Sequence, residues 1–171
     1  LFANRKIEKV YMACCVGHPG DSTIVEPIGR DRKNRQLMTV YDGDEDGPPL
    51  RPAVSHTKTF AFDGKLSAAL VRIETGRTHQ IRVHMSHIKH PLVGDPAYGG
   101  RLRPLRNATP ELTLALRNFN RQALHATMLQ LAHPITGEVM QWHSPTPQDM
   151  LDLMEVMRAD TLANPDDLVW N

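Results

Sequence analysis

Thr75-Gly76-Arg77-Thr78-His79-Gln80-Ile81-Arg82-Val83-His84 runs without a break into Met85 to His90 and then Pro91-Leu92-Val93-Gly94-Asp95. Two arginines, two histidines and a glutamine crowd the point where a strand pattern gives way to a helical one, with a glycine at the bend. Such a junction aims fixed positive charge and amide donors at one place, which suits a phosphate or a carboxylate. Thr78 reads as the helix N-cap. Ile81, Met85 and Ile88 recur at helical spacing and predict a short buried face. Pro91 stops the helix, and Gly94, Gly99 and Gly100 keep the following loop tight.

Upstream, Leu66 to Glu74 and Ala53 to Phe62 alternate as strands, and Asp63-Gly64 between them is a hairpin signal. Glu8 to Gly17 is a further strand, and Ile24 and Leu37 to Tyr41 mark two short ones. The acidic stretch Asp42 to Pro49 reads as a solvated loop; as a calcium loop it lacks the twelfth-position glutamate and the following helix. Downstream, Pro110 to Phe119 predicts a helix, and Ala123 to His133 with Val139 to His143 a strand pair. Pro147 opens a terminal helix over Gln148 to Met157, with Leu151, Met154 and Met157 expected inward. The tail from Asn164 reads as loose. Partly segregated strands and helices joined by hairpins predict an α+β fold: a mixed, mostly antiparallel sheet with flanking helices.

The chain of 171 residues fits one domain, with 40% hydrophobic and 23% charged residues, as in globular proteins. No apolar run approaches the roughly 18 residues of a membrane span, so no membrane partner is expected. No signal peptide opens the sequence, and its start at Leu1 predicts an excised or processed piece of a longer protein. Formal net charge is only +1, but Arg72 to Arg106 carries seven cations against Glu74 and Asp95. A local basic face of this kind is compatible with RNA, an ordinary solvated face being the alternative. Cys14 and Cys15 are adjacent in a strand and cannot easily form a relaxed disulfide, which predicts core thiols and a reduced, cytoplasmic setting.

Ser55-His56 and His143-Ser144 are strand neighbours on opposite faces, which disfavours a hydrolase. His79, His84, His87 and His90 lack zinc-enzyme spacing and are interleaved with arginines, so no metal is expected. Phosphate and RNA suit the segment better. Arg77 and His79 flank a helix start, and Arg82, one turn in, is placed to fork onto a carboxylate from elsewhere in the protein. A purely stabilising ion pair is the alternative for Arg82.

The run Glu74 to Arg82, its continuation through Val83-His84-Met85 and His90 to Asp95, the segment Arg121-Gln122-Ala123-Leu124-His125-Ala126, the His133-Pro134 turn and the triplet Lys9-Val10-Tyr11 together resemble pseudouridine synthases of the RluA/RluD type. The likeness extends over essentially the whole chain and is strongest to the RluD-like branch acting on large-subunit ribosomal RNA. The resemblance implies isomerisation of uridine to pseudouridine in that RNA, without cofactor or metal. It implies that Tyr11 packs against the flipped uracil and takes part in moving the C5 proton, an ordinary core tyrosine being the alternative. Arg82 would pair with the nucleophilic aspartate. Lys9, Arg77, His79 and Gln80 would bind RNA in the cleft, and Leu124 would pack under the active site. The family's Arg-Leu-Asp segment does not occur in residues 1–171. The resemblance therefore implies the C-terminal portion of a catalytic domain, without the nucleophile or an N-terminal RNA-binding module, and by itself inactive and prone to non-native self-association. A catalytically inactive RNA-binding module is the competing reading.

Overall fold

The computed structural model describes residues 7–40, 49–99 and 105–164. In chain order these form β1 (Glu8–Val16), β2 (Ser22–Val25), β3 (Ile28–Arg30), β4 (Met38–Val40), β5 (Val54–Phe62), β6 (Leu66–Ile73), α1 (Gln80–His87), α2 (Pro110–Asn118), β7 (Leu124–Ala132), β8 (Val139–His143) and α3 (Gln148–Ala163). Six strands pair antiparallel in the order β2-β5-β6-β1-β7-β8, and β3 with β4 makes a separate ribbon. The expected α+β class with a mostly antiparallel sheet is the fold observed.

β1 lies inside the sheet, paired with β6 on one side and β7 on the other. Successive residues of a strand point to opposite faces. Met12, Cys14 and Val16 therefore enter the core that Leu112 of α2 and Met150, Leu153 and Met157 of α3 close. Tyr11, Ala13 and Cys15 enter the opposite core, which Ile81 and Met85 of α1 cover. The adjacent thiols thus face different cores. Both are fully buried and free, and burial pushes each up to about 12. The β3–β4 ribbon forms a third small core with α1, where Ile28 and Ala53 meet Val83.

Several local expectations are corrected. The N-cap of α1 is His79, in a left-handed conformation (φ 54°), and Thr78 makes no cap. The inward residues of α3 are Met150, Leu153 and Met157, whereas Leu151 is exposed and Met154 is only partly buried. That helix continues six residues beyond Met157, to Ala163. β3 was not anticipated, being three residues long with an interior glycine, too short for a period-two signal. The acidic stretch lies outside the described residues as far as residue 48, as does the tail from residue 165.

α1 is fixed to the sheet by a buried polar chain as well as by apolar contact. Gln80 Nε2 donates to Ser55 Oγ (2.9 Å), Ser55 Oγ meets His84 Nδ1 (2.8 Å), and His84 Nε2 meets the Glu26 carbonyl oxygen (2.8 Å). A carbonyl only accepts, so Nε2 carries the His84 proton, and Ser55 donates its own to Nδ1. The imidazole must be neutral for this arrangement, and burial first of all holds its pKa below the ordinary value. The serine–histidine pair is real but joins Ser55 to His84 rather than to His56, and both are wholly buried. It is a structural link with no access for a substrate.

Ser55→Ala orphans a glutamine N–H and a histidine nitrogen, and is expected to cost about 1–3 kcal/mol for each unsatisfied group. Urea unfolding at pH 7.5 measures this. Because the folded-state pKa of His84 is depressed, its contribution is fully present above the unfolded value near 6.5 and is lost as pH falls through the folded value. ¹⁵N spectra are expected to keep His84 in the Nε2–H tautomer below pH 6.5.

Candidate active site

One cleft of about 270 Å³ gathers all seven residues that the sequence singles out: Lys9, Tyr11, Arg77, His79, Gln80, Arg82 and Leu124. They come from three places. Lys9 and Tyr11 lie two apart on β1 and therefore on one face. Between Val10, opposite Met128, and Tyr11, opposite Ala126, the β1–β7 register slips by one residue, a bulge that leaves Thr127 unpaired. Bulges re-aim neighbouring side chains, and Tyr11 sits at this one. Tyr11 is half-buried: it packs on the Ala13 and Cys15 core and also lines the cleft. Leu124, at the start of β7, rests on the same core.

The wall carrying Leu124 is held from behind. Arg121 forks onto Asp149 of α3 (2.7 Å to each oxygen) and donates to the carbonyls of Gln122 (2.9 Å) and Leu124 (3.4 Å). Gly94 packs beneath it with φ +74°, and a Cβ there would lie 2.1 Å from the Arg121 carbonyl oxygen. Only glycine fits that crossing.

The loop Thr75 to His79 is organised by Gln80. Its Oε1 accepts from Thr75 Oγ1 (2.6 Å) and the Arg77 N–H (3.1 Å), while Nε2 donates to the Val54 carbonyl (3.0 Å) and to Ser55. Two lone pairs and two protons are all that an amide side chain has. Gln80 borders the cleft but is 3% exposed and has no polar group left for a ligand; it shapes the loop. Arg77 donates Nε to the Pro52 carbonyl (2.7 Å), which fixes its guanidinium at the rim.

Arg82 forks onto Asp95, with Nε on one oxygen and Nη2 on the other, both at 2.9 Å. The same carboxylate accepts the N–H groups of Ala97 (3.0 Å) and Tyr98 (3.1 Å). Burial alone would raise the Asp95 carboxyl, but the Arg82 hydrogen bonds and the two backbone donors outweigh it and hold it below the usual range. The Asp95 hydrogen bonds in turn raise the Arg82 pKa. The Tyr98 ring lies 4.9 Å from the guanidinium carbon, and its hydroxyl bridges the Met38 N–H and His79 Nδ1, each at 2.8 Å. Arg82 is thus immobilised while Nη1 keeps no hydrogen-bond partner among the described residues. The His79 pKa is held below its ordinary value, chiefly by burial and then by the charge of Arg82.

Asp95 and Tyr98 carry no assignment from sequence. The signal for Asp95 was present: it is one of two acids among seven cations, and a buried acid there must find an arginine. Tyr98 gives no comparable signal. Gln122 joins the lining as well. Among the described residues no group of three or more His, Cys, Asp or Glu is placed to hold a metal. His84 and His90 are each bound within the protein instead, His90 through Nδ1 to the Val16 carbonyl oxygen (2.8 Å).

The family described as RNA pseudouridylate synthase matches residues 1–87, half of the sequence, and the chain belongs to it. It is 49% identical over 167 residues to ribosomal large subunit pseudouridine synthase D of Escherichia coli strain K12, covering 97% of this chain and 49% of that protein. The Haemophilus influenzae protein of the same name is 47% identical over 165 residues, with 96% and 49% covered. The chain therefore spans about half the length of these relatives. Among solved structures, human RNA pseudouridylate synthase domain containing 4 superposes with a TM-score of 0.70 at 22% identity, covering 92% of this chain and 65% of that one. Human RNA pseudouridylate synthase domain containing 1 gives 0.64 at 25%, covering 92% and 68%. These two show the shared fold.

Asp95→Asn turns one carboxylate oxygen into a donor facing donors. Breaking a buried ion pair from one side costs about 3–5 kcal/mol, and a loss of that size is expected in urea unfolding at pH 7. With its folded pKa depressed, Asp95 contributes fully above about pH 4 and loses its contribution as pH falls through the folded value. The gap between wild type and Asp95→Asn is expected to persist at pH 5 and close only in stronger acid.

Proposed function

We propose that residues 1–171 are the C-terminal portion of the catalytic domain of a pseudouridine synthase that converts uridine to pseudouridine in large-subunit ribosomal RNA. The nucleophilic aspartate comes from a segment outside this chain. The observation that carries the reading is the convergence of Tyr11, Leu124 and Arg82 with Lys9, Arg77 and His79 on one cleft. Relatives of twice the length that bear the name of this activity support it, and so does the exposed apolar surface of Val139 and Trp142 on the edge strand β8. No helix among the described residues is long and apolar enough to cross a membrane. A ribosomal RNA substrate places the protein in the cytoplasm, and self-association is expected of the isolated chain.

In this reading the target nucleotide leaves its stack, at a cost of a few kcal/mol, and enters the cleft. Stacking on Tyr11 offsets about 1–3 kcal/mol of that. The C1′–N1 bond breaks, the uracil turns, and C1′ bonds to C5. The C5 proton is released and N1 gains one, so the product is an isomer and no electrons are exchanged. Arg82, held on Asp95, offers Nη1 to the incoming aspartate and keeps that carboxylate ionised and oriented. The aspartate acts as nucleophile or removes a sugar proton; Arg82 serves either route. Lys9 and Arg77 hold phosphate at the rim.

In the longer protein, Arg82→Ala is expected to abolish turnover while much RNA affinity survives, because the loss falls on the aspartate rather than on phosphate contacts. Turnover at saturating RNA, with folding checked by thermal melting, measures it; near-normal turnover would remove Arg82 from the site. Tyr11→Phe keeps the π-face, so RNA binding is expected to persist while turnover falls about 10²–10⁴-fold if the hydroxyl moves the C5 proton. Turnover kept in Tyr11→Phe but lost in Tyr11→Ala leaves stacking as its role. A folded, RNA-binding wild type that forms no pseudouridine would support the inactive RNA-binding module instead. Absence of any salt-sensitive RNA affinity would point to a structural domain.

A further inference from the structure

A second cleft, of about 470 Å³, adjoins the first through Gly76 and Arg77 and is lined by Arg30, Arg35, Arg51 and Arg77, with no acidic residue among the described residues of its wall. Outside it, Arg82 has Asp95, Arg121 has Asp149 and Arg158 has Glu155, while the separate, dispersed Arg72, Arg106 and Arg117 have no carboxylate partner among the described residues. None of the four in this cleft is paired with a carboxylate among the described residues. Two of them are nevertheless fixed, Arg30 through Nη1 on the Arg35 carbonyl (2.8 Å) and Arg77 through Nε on the Pro52 carbonyl (2.7 Å). The nearby Asp31 is spent on the turn between β3 and β4, where it accepts the N–H groups of Lys33 (2.8 Å) and Asn34 (3.0 Å). Gly76, at the junction, places no side chain between the two clefts.

Four guanidinium groups left without a carboxylate in one concave surface are a site for a polyanion. Arginine matches phosphate oxygens with parallel N–H donors, and phosphate contacts set the register of a nucleic acid without reading its sequence. Continuity with the Tyr11 cleft fixes which polyanion. We propose that the Arg30–Arg35–Arg51–Arg77 cleft binds the phosphodiester backbone of the RNA strand flanking the nucleotide held at Tyr11. The β3–β4 ribbon then acts as a backbone clamp, with Arg77 touching both sites. This inference rests on the RNA reading above, but not on catalysis.

The test uses the longer protein and a fluorescent single-stranded RNA containing a uridine, with affinity measured from 50 to 300 mM KCl. Arg35 and Arg51 are the residues to change, because their side chains make no hydrogen bond to the described residues. The double variant Arg35→Ala/Arg51→Ala is expected to fold as wild type. Its plot of log affinity against log salt is expected to be shallower by about 1.4, for two lost phosphate contacts to a single strand. The accompanying fall in kcat/KM is expected to be carried by KM. Arg35→Lys/Arg51→Lys keeps the charge and is expected to keep most of the slope. An unchanged slope and affinity in the alanine variant would overturn the proposal, and so would a lysine variant as impaired as the alanine one. If the wild type binds RNA with the predicted slope loss in the variant but forms no pseudouridine, the clamp stands and the isomerase reading falls.

Discussion

The pleat of β1 is the constraint on which the rest of the molecule depends. This strand has hydrogen-bonded neighbours on both edges and a core on both faces, so nearly every atom between Tyr11 and Val16 is committed. Even-numbered side chains hold α2 and α3, and odd-numbered ones hold α1. A one-residue slip would exchange the two sets and empty both cores. The same alternation places Lys9 and Tyr11 on the α1 side, where the helix start and the Leu124 wall meet them. The cleft is thus a continuation of the core, opened where the β1–β7 bulge breaks the ladder.

Around that cleft, precision comes from side chains that never touch a ligand. Gln80 spends its whole hydrogen-bonding capacity inside the protein, its oxygen on the loop that presents Arg77 and His79 and its nitrogen on β5. Asp95 does the same for Arg82, taking two guanidinium and two backbone donors. Tyr98 ties the Arg82 face to His79 and to Met38 at the start of β4. The left-handed backbone of His79 carries a cost of order 1–3 kcal/mol, which this surrounding network offsets. These groups fix the position of the reactive ones because Gln80 and Asp95 are buried, Tyr98 is half-buried, and all three are held by hydrogen bonds within the protein.

Charge follows a division of labour that a net value of +1 conceals. Arginines with structural tasks are paired with carboxylates, as Arg82 and Arg121 are. Those of the β3–β4 ribbon and its neighbours face an open cleft and have no carboxylate partner among the described residues. Desolvating a guanidinium requires a partner, whereas a solvated one keeps its field available to a ligand.

The sequence by itself determined the order and type of the main elements and the burial of Cys14 and Cys15, and the family resemblance it carries named residues that meet at the cleft. Period-two alternation, the Asp63-Gly64 turn and the Thr75 to Asp95 run are local patterns, and local patterns survive without coordinates. Tertiary structure alone decided what each polar side chain does. Gln80 looks from sequence like a ligand contact, yet its partners lie at residues 54, 55, 75 and 77. Arg82 looks free to wait for a carboxylate, yet Asp95 already holds one edge of it. The inward face of α3 and the His79 cap were misplaced for the same reason. Helical spacing leaves a choice of neighbouring stripes, and a cap depends on the loop before it, so both are settled by what packs alongside rather than by the residues themselves.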